Sequence, residues 1–213
     1  MTDVLAPLVR RIVPVVVLDE VEAADPLAAA LVAGGLPVAE VTFRTPAAAD
    51  AIRVMAERGD IMVGAGTVLS ARQVDDAVAA GASFVVSPGF SAAVVDRCAE
   101  LGVPVLPGAV TATEIQAALE AGLSVVKFFP AATSGGPAAI RALAAPFPGL
   151  RFVPTGGVAA DNLADYLAIP AVVAVGGSWM VARSLISAGA FVEVSRLARE
   201  AVELAAALTE ARQ

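Results

Sequence analysis

Eight short runs rich in Val, Ile and Phe recur along the 213 residues, and most are followed by an alanine-rich segment of helical period. They lie at 12–18, 38–43, 61–66, 84–89, 103–108, 124–130, 151–157 and 172–178. The runs are apolar on both parities, so neither face of such a strand is meant for water. A sheet buried on both faces is a parallel sheet covered by its own crossover helices. Eight strand–helix units favour a closed barrel over an open sheet. The predicted fold is therefore an α/β protein, a (β/α)8 TIM barrel. No linker, charge block or low-complexity break divides the chain, so one barrel domain over 1–213 is expected, with a short N-terminal helix over 3–10 capping the floor.

The segments PLAAALVAGG, PAAADAIRVMAERG, SARQVDDAVAAG, SAAVVDRCAELG and TATEIQAALEAG carry the helical period. Each closes on glycine, the residue that best tolerates the left-handed turn past a helix end. Several open on Ser or Thr at the capping position, and Thr111/Glu114 and Thr113/Gln116 both have the spacing of a capping box. In the last helix, Phe191, Val194, Ala198, Ala201 and Ala205 form an apolar stripe, with charges opposite.

Composition narrows the function. A net charge of −7 argues against nucleic acid and anionic membrane surfaces as partners. No apolar stretch is long enough to span a bilayer without a proline or glycine break. Cys98 is the sole cysteine and histidine is absent, so there is no internal disulfide and no zinc ligand set. No metal and no cofactor is expected, and a soluble cytoplasmic protein follows.

The polar residues fall where such barrels keep their chemistry, at the C-terminal ends of the strands. Glu40, Thr42 and Arg44 share one parity on the second strand. Thr67 follows the third, Ser87-Pro88 ends the fourth, Thr155-Gly156-Gly157 ends the seventh and Gly176-Gly177-Ser178 ends the eighth. Lys127, the only lysine in the chain, stands inside the sixth, in VVKFFP. An amine among apolar side chains is penalised in its charged form, and the neutral form is a nucleophile that condenses with a ketone. The iminium so formed is an electron sink for carbon–carbon cleavage. Glu40 is the natural proton shuttle in a chain without histidine, although a carboxylate there also suits an ion pair with Arg44 or Lys127. Arg44 has the planar fork that fits a carboxylate, and equally a rim ion pair. The two diglycines suit phosphate binding through backbone N–H groups, and strand-to-helix turns need glycine in any case. Ser178, Thr67 and Thr155 are also ordinary helix caps. Cys98 reads as a small core residue and Trp179 as a packing residue.

In order, VAEVTFRT, VGAGTVLS, VSPGF, VLPGAVTATE, KFFPA, FVPTGGV and VGGSWM resemble the 2-keto-3-deoxy-6-phosphogluconate (KDPG) aldolase family, from about Arg11 to the last helix. The resemblance implies a class I aldolase, usually homotrimeric and cytoplasmic, of the Entner–Doudoroff pathway. It would cleave KDPG to pyruvate and glyceraldehyde 3-phosphate, and in many members 4-hydroxy-2-oxoglutarate as well. It implies an imine on Lys127 with Glu40 as acid/base. Arg44, Thr67 and Thr155 would hold the pyruvyl end, Pro88 and Phe129 would line the pocket, and Gly156, Gly157 and Ser178 would hold phosphate. The family motif usually continues KFFPAE, whereas Ala132 stands in the last position here. Alternatives are the galactonate epimer's aldolase, a barrel isomerase working without a covalent lysine, and a sugar-phosphate sensor.

Overall fold

A computed structural model of the chain describes Leu8 and residues 10–210. All eight expected strands form: β1 (Ile12–Val16), β2 (Val38–Thr42), β3 (Met62–Gly66), β4 (Phe84–Val86), β5 (Val105–Leu106), β6 (Val125–Phe128), β7 (Arg151–Pro154) and β8 (Val175–Gly177). Each is shorter than the apolar run that predicted it. Proline accounts for much of the trimming: β5 keeps two residues between Pro104 and Pro107, neither of which can donate to a ladder. β4 stops just short of Ser87-Pro88.

All pairings are parallel. Six strands form one ladder in the order β5-β4-β3-β2-β1-β8, and β6 pairs with β7. Single bridges join the two groups into a ring: Gly108 with Lys127 on one side, Phe152 with Val172 and Thr155 with Gly176 on the other. At the first seam the Lys127 N–H donates to the Pro107 carbonyl and the Ala109 N–H to the Lys127 carbonyl, both at 2.8 Å. The lysine therefore has its backbone fixed on both sides.

The helices are α1 (Ala24–Ala33), α2 (Ala48–Glu57), α3 (Ala71–Ala79), α4 (Ala92–Leu101), α5 (Ala112–Glu120), α6 (Gly136–Ala144), α7 (Leu163–Leu167), α8 (Arg183–Ser187) and α9 (Phe191–Glu210). Ser70 caps α3, accepting from the Gln73 N–H. Of the two capping-box spacings only Thr111/Glu114 is used, with Glu114 Oε2 accepting from the Val110 and Thr111 N–H groups at 2.9 Å. Thr113 and Gln116 lie inside α5, with Thr113 two residues past the capping position. Gly102 closes α4 in the left-handed region at φ 67°, where a Cβ would be strained.

The expected stripe of α9 is buried at Val194, Ala198, Ala201 and Ala205, with Phe191 partly covered. Alanine there permits close approach: a Cβ on Gly34 would stand 2.6 Å from that of Ala198. On β6 the parity alternates: Lys127 enters the barrel, while Phe128 is fully buried and packs edge-on against Phe152, ring centroids 6.3 Å apart. Truncating such a side chain costs about 3–5 kcal/mol. The helix expected over 3–10 lies outside the described residues except at Leu8 and Arg10. Leu8 is buried and, with Val13, Phe84 and Glu40, surrounds a void of about 10 Å³ in the barrel interior. Among the described residues no helix is long and apolar enough to cross a membrane.

Candidate active site

Glu40 rises from β2 and Lys127 from β6, strands four places apart whichever way the ring is followed. Their side chains meet inside the barrel, with Lys127 Nζ donating to Glu40 Oε1 at 2.9 Å. The residues are 4 % and 3 % exposed. The amine is thus not isolated among apolar groups: it is one half of a buried ion pair, and Glu40 pairs with it rather than with Arg44. Removing one partner of such a pair costs about 3–5 kcal/mol, because the other is left buried and unmatched. The ammonium also lies over the Phe129 ring, 5.4 Å from Nζ to the ring centroid.

Two glycines in β3 make room for this arrangement. A Cβ on Gly66 would stand 2.3 Å from Glu40 Oε1, and one on Gly64 would fall 2.2 Å from the Phe84 ring. Phe84 thereby fills the interior beside the site, and Glu40 lies flat against the β3 backbone. Gly176 does the same for Thr155, whose Oγ1 occupies the space a Cβ would take, 2.3 Å away. Neither Gly64 nor Gly66 stood out in the sequence, because a glycine's value here is the volume it leaves to a residue distant in the chain.

Above the pair opens a cavity of about 160 Å³, lined by Val15, Val17, Arg44, Lys127, Phe129, Thr155, Gly156, Gly157, Val158, Gly176, Gly177 and Ser178. Seven of the expected site residues therefore share one cavity: Lys127, Arg44, Phe129, Thr155, Gly156, Gly157 and Ser178. Glu40 reaches it through Lys127. Thr67 reaches it through Arg44, whose Nε donates to Thr67 Oγ1 at 3.2 Å. Thr67 adopts φ 57°, a left-handed conformation that costs a β-branched residue about 1–3 kcal/mol. Thr42 turns to β1 instead, donating to the Val16 carbonyl at 2.9 Å. Pro88 stands outside the cavity wall: its carbonyl oxygen occupies the space beside Gly108, 2.0 Å from where a Cβ would lie. Val15, Val17 and Val158, which line the wall, were not singled out; strand parity places Val15 and Val17 on one face but gives no sign that this face meets a ligand.

Gly156 and Gly157 follow β7 at φ 92° and 78°. Their carbonyls accept from Ala132 N–H at 3.0 Å and Asn162 Nδ2 at 2.9 Å respectively. A turn of two consecutive positive-φ glycines can present backbone N–H groups to an anion. Ala132 packs directly on this turn: a Cβ on Gly157 would lie 2.4 Å from that of Ala132. Trp179 lies beneath Gly177 as a packing residue, and Cys98 is fully buried in the core, where burial pushes its thiol up to about 11.

The sequence profile of the KDPG and KHG aldolases matches residues 7–197. The chain belongs to the KDPG and KHG aldolase family. A curated member, the 2-dehydro-3-deoxy-phosphogluconate aldolase of Treponema pallidum (strain Nichols), is 53 % identical over 195 residues, covering 91 % of this chain and 93 % of its own. The KDPG aldolase of Legionella pneumophila, solved with pyruvate captured at low pH as a covalent carbinolamine, superposes with a TM-score of 0.87 at 39 % identity, covering 90 % and 93 % of the two chains. The family member of Zymomonas mobilis ZM4, solved with 3-phosphoglycerate, superposes with a TM-score of 0.85 at 41 % identity and 90 % coverage of each.

Proposed function

We infer that the chain is a class I aldolase that cleaves 2-keto-3-deoxy-6-phosphogluconate to pyruvate and glyceraldehyde 3-phosphate. The observation that carries the reading is the buried Lys127–Glu40 pair beside a cavity that Arg44, the Gly156-Gly157 turn and Ser178 also line. In the resting state the proton lies in the 2.9 Å hydrogen bond between Nζ and Oε1, so its transfer to Glu40 frees the amine. The amine adds to the C2 ketone, and Glu40 returns its proton to the departing hydroxyl, so that the carbinolamine loses water to give the iminium on Lys127 and Glu40 is again a carboxylate. Glu40 then takes the proton of the C4 hydroxyl as the C3–C4 bond breaks, the bonding pair passing into the iminium to form an enamine. The aldehyde leaves. Glu40 returns the proton to C3, and hydrolysis of the second iminium releases pyruvate and restores the amine.

Arg44, held by Thr67, takes the C1 carboxylate, and Thr155 stands beside the reacting carbon. Phe129 covers the amine, Pro88 supports the wall from outside, and Gly156, Gly157 and Ser178 receive the phosphate. The covalent pyruvate of the Legionella protein and the phosphorylated acid of the Zymomonas protein support the two ends of this assignment. A second substrate, 4-hydroxy-2-oxoglutarate, fits the same Lys127 chemistry and the family's description. A single barrel domain, a homotrimer, a cytoplasmic location and a place in the Entner–Doudoroff pathway complete the proposal.

Borohydride reduction in the presence of pyruvate tests it. The expected product is one adduct on the peptide carrying Lys127, and none in Lys127→Arg. An unmodified Lys127 peptide after reduction, with pyruvate at saturating concentration, overturns the reading. Comparing cleavage of the gluconate and galactonate epimers assigns the stereochemical preference.

A further inference from the structure

The cavity has cations at only one end. Arg44 follows β2 and Lys127 stands on β6, while the end at Gly156, Gly157 and Ser178 is built from backbone and one hydroxyl. The segments that follow β7, β8 and β1 frame that end of the mouth. Their acids are Asp161, Asp19, Glu20 and Glu22, all exposed. Through the first residue of α8 they contain one cation, Arg183. Its guanidinium forms a two-point pair with Asp19, Nε to Oδ2 at 2.6 Å and Nη2 to Oδ1. The pair ties the β8 segment to the β1 segment across the rim, 164 residues apart in sequence. Asp19 lies two residues beyond Val17 and Arg183 five beyond Ser178, both of which line the cavity.

A phosphate dianion approaching that end meets an acidic rim, and repulsion of this sign slows and weakens anion binding. We propose that Arg183 is the specificity-determining cation for the phosphate end of the substrate, and that Asp19 holds it at the rim and competes with phosphate for it. The guanidinium fork binds a carboxylate and a phosphate in the same bidentate manner, so the two anions compete for the one group. The proposal rests on the aldolase reading of the site, and it concerns selectivity between phosphorylated and unphosphorylated keto acids.

The test uses the full chain with two substrates, 2-keto-3-deoxy-6-phosphogluconate and the phosphate-free 4-hydroxy-2-oxoglutarate, and reads the ratio of their kcat/KM values. Arg183 is largely exposed, and substitutions at such positions are normally tolerated by the fold. Arg183→Gln is expected to lower the ratio by roughly three- to tenfold, the low end reflecting solvent screening. Asp19→Asn is expected to raise it by about two- to threefold, through release of the arginine and removal of a like charge. Added salt screens the rim acids and is expected to raise the ratio more in Arg183→Gln than in the wild type. An unchanged ratio in Arg183→Gln overturns the proposal, as does a ratio lowered equally by both variants. Failure of the wild type to cleave either substrate or to trap pyruvate sinks the aldolase reading instead, so the two failures are told apart.

Discussion

Replacing Gly66 by alanine should disable the acid/base while leaving the barrel folded. Gly66 ends β3 and has no left-handed backbone to preserve, so a methyl group is the whole perturbation. That methyl would stand 2.3 Å from Glu40 Oε1, 2.6 Å from Cγ and 2.9 Å from Cδ. Ordinary contact needs about 3.5 Å, so the carboxylate has to retreat by about 1 Å. The oxygen displaced is the one that accepts from Lys127 Nζ at 2.9 Å, and the same retreat takes that contact out of hydrogen-bond range. A misplacement of about 1 Å in a catalytic group corresponds to roughly a hundredfold loss of rate. The overpacking itself should cost about 1–3 kcal/mol of stability.

The assay has three readouts: thermal unfolding, steady-state cleavage, and exchange of the C3 hydrogens of pyruvate with deuterium. Exchange isolates the enamine protonation step, in which Glu40 is assigned the proton. Gly64→Ala is the control, since its methyl meets first the Phe84 ring, 2.2 Å away. Both variants should lose stability, but only Gly66→Ala should lose exchange out of proportion to that loss. In a Glu40→Gln background Gly66→Ala should add nothing further to the rate loss. If Gly66→Ala is folded and exchanges within threefold of wild type, Glu40 does not owe its position to the glycine and the reasoning is refuted.

Gly157→Ala is expected to raise KM for a phosphorylated substrate about tenfold and to cost about 1–2 kcal/mol in chemical denaturation, since it combines φ 78° with a clash on Ala132. Burial alone would raise the Glu114 carboxyl, but the N–H groups of Val110 and Thr111 and the Thr111 hydroxyl outweigh it and hold the group below its ordinary value. Its contribution is therefore present above the unfolded carboxylate range and is lost as pH falls through the lower folded value. Glu114→Ala should destabilise by about 1 kcal/mol near pH 7, with the gap narrowing below about pH 4 in urea titrations. With its thiol pushed up to about 11, Cys98 should react with iodoacetamide at pH 8 roughly a hundredfold more slowly than free cysteine, and at the ordinary rate in denaturant.

The strands were legible because a sheet buried on both faces leaves long β-branched runs, and the helices because alanine-rich segments keep a 3.6-residue period. Strand ends were not, since they depend on which N–H groups find partners; Pro104, Pro107 and Pro88 truncate runs whose apolar character continues past them. Site residues within or just past the strands, such as Lys127 in β6 and Arg44 beyond β2, could be placed by parity and topology alone. Pairings across the ring could not be resolved that way. Glu40 had two candidate cations, and only the opposed positions of β2 and β6 decide for Lys127. The Asp19–Arg183 tie and the seating of Glu40 on Gly66 are likewise products of tertiary approach, with no trace in local sequence.

The opposed origin of the pair also bears on how stable this barrel can be. Two ions drawn from facing walls into a dry interior lose hydration that their mutual attraction only partly restores. Substituting both by apolar side chains of similar bulk, Lys127→Met with Glu40→Leu, should yield an inert protein that melts at a higher temperature than its parent, although either change alone lowers it. The centre of the barrel would then be a place where natural selection has held the fold below its attainable stability for the sake of one bond-breaking step.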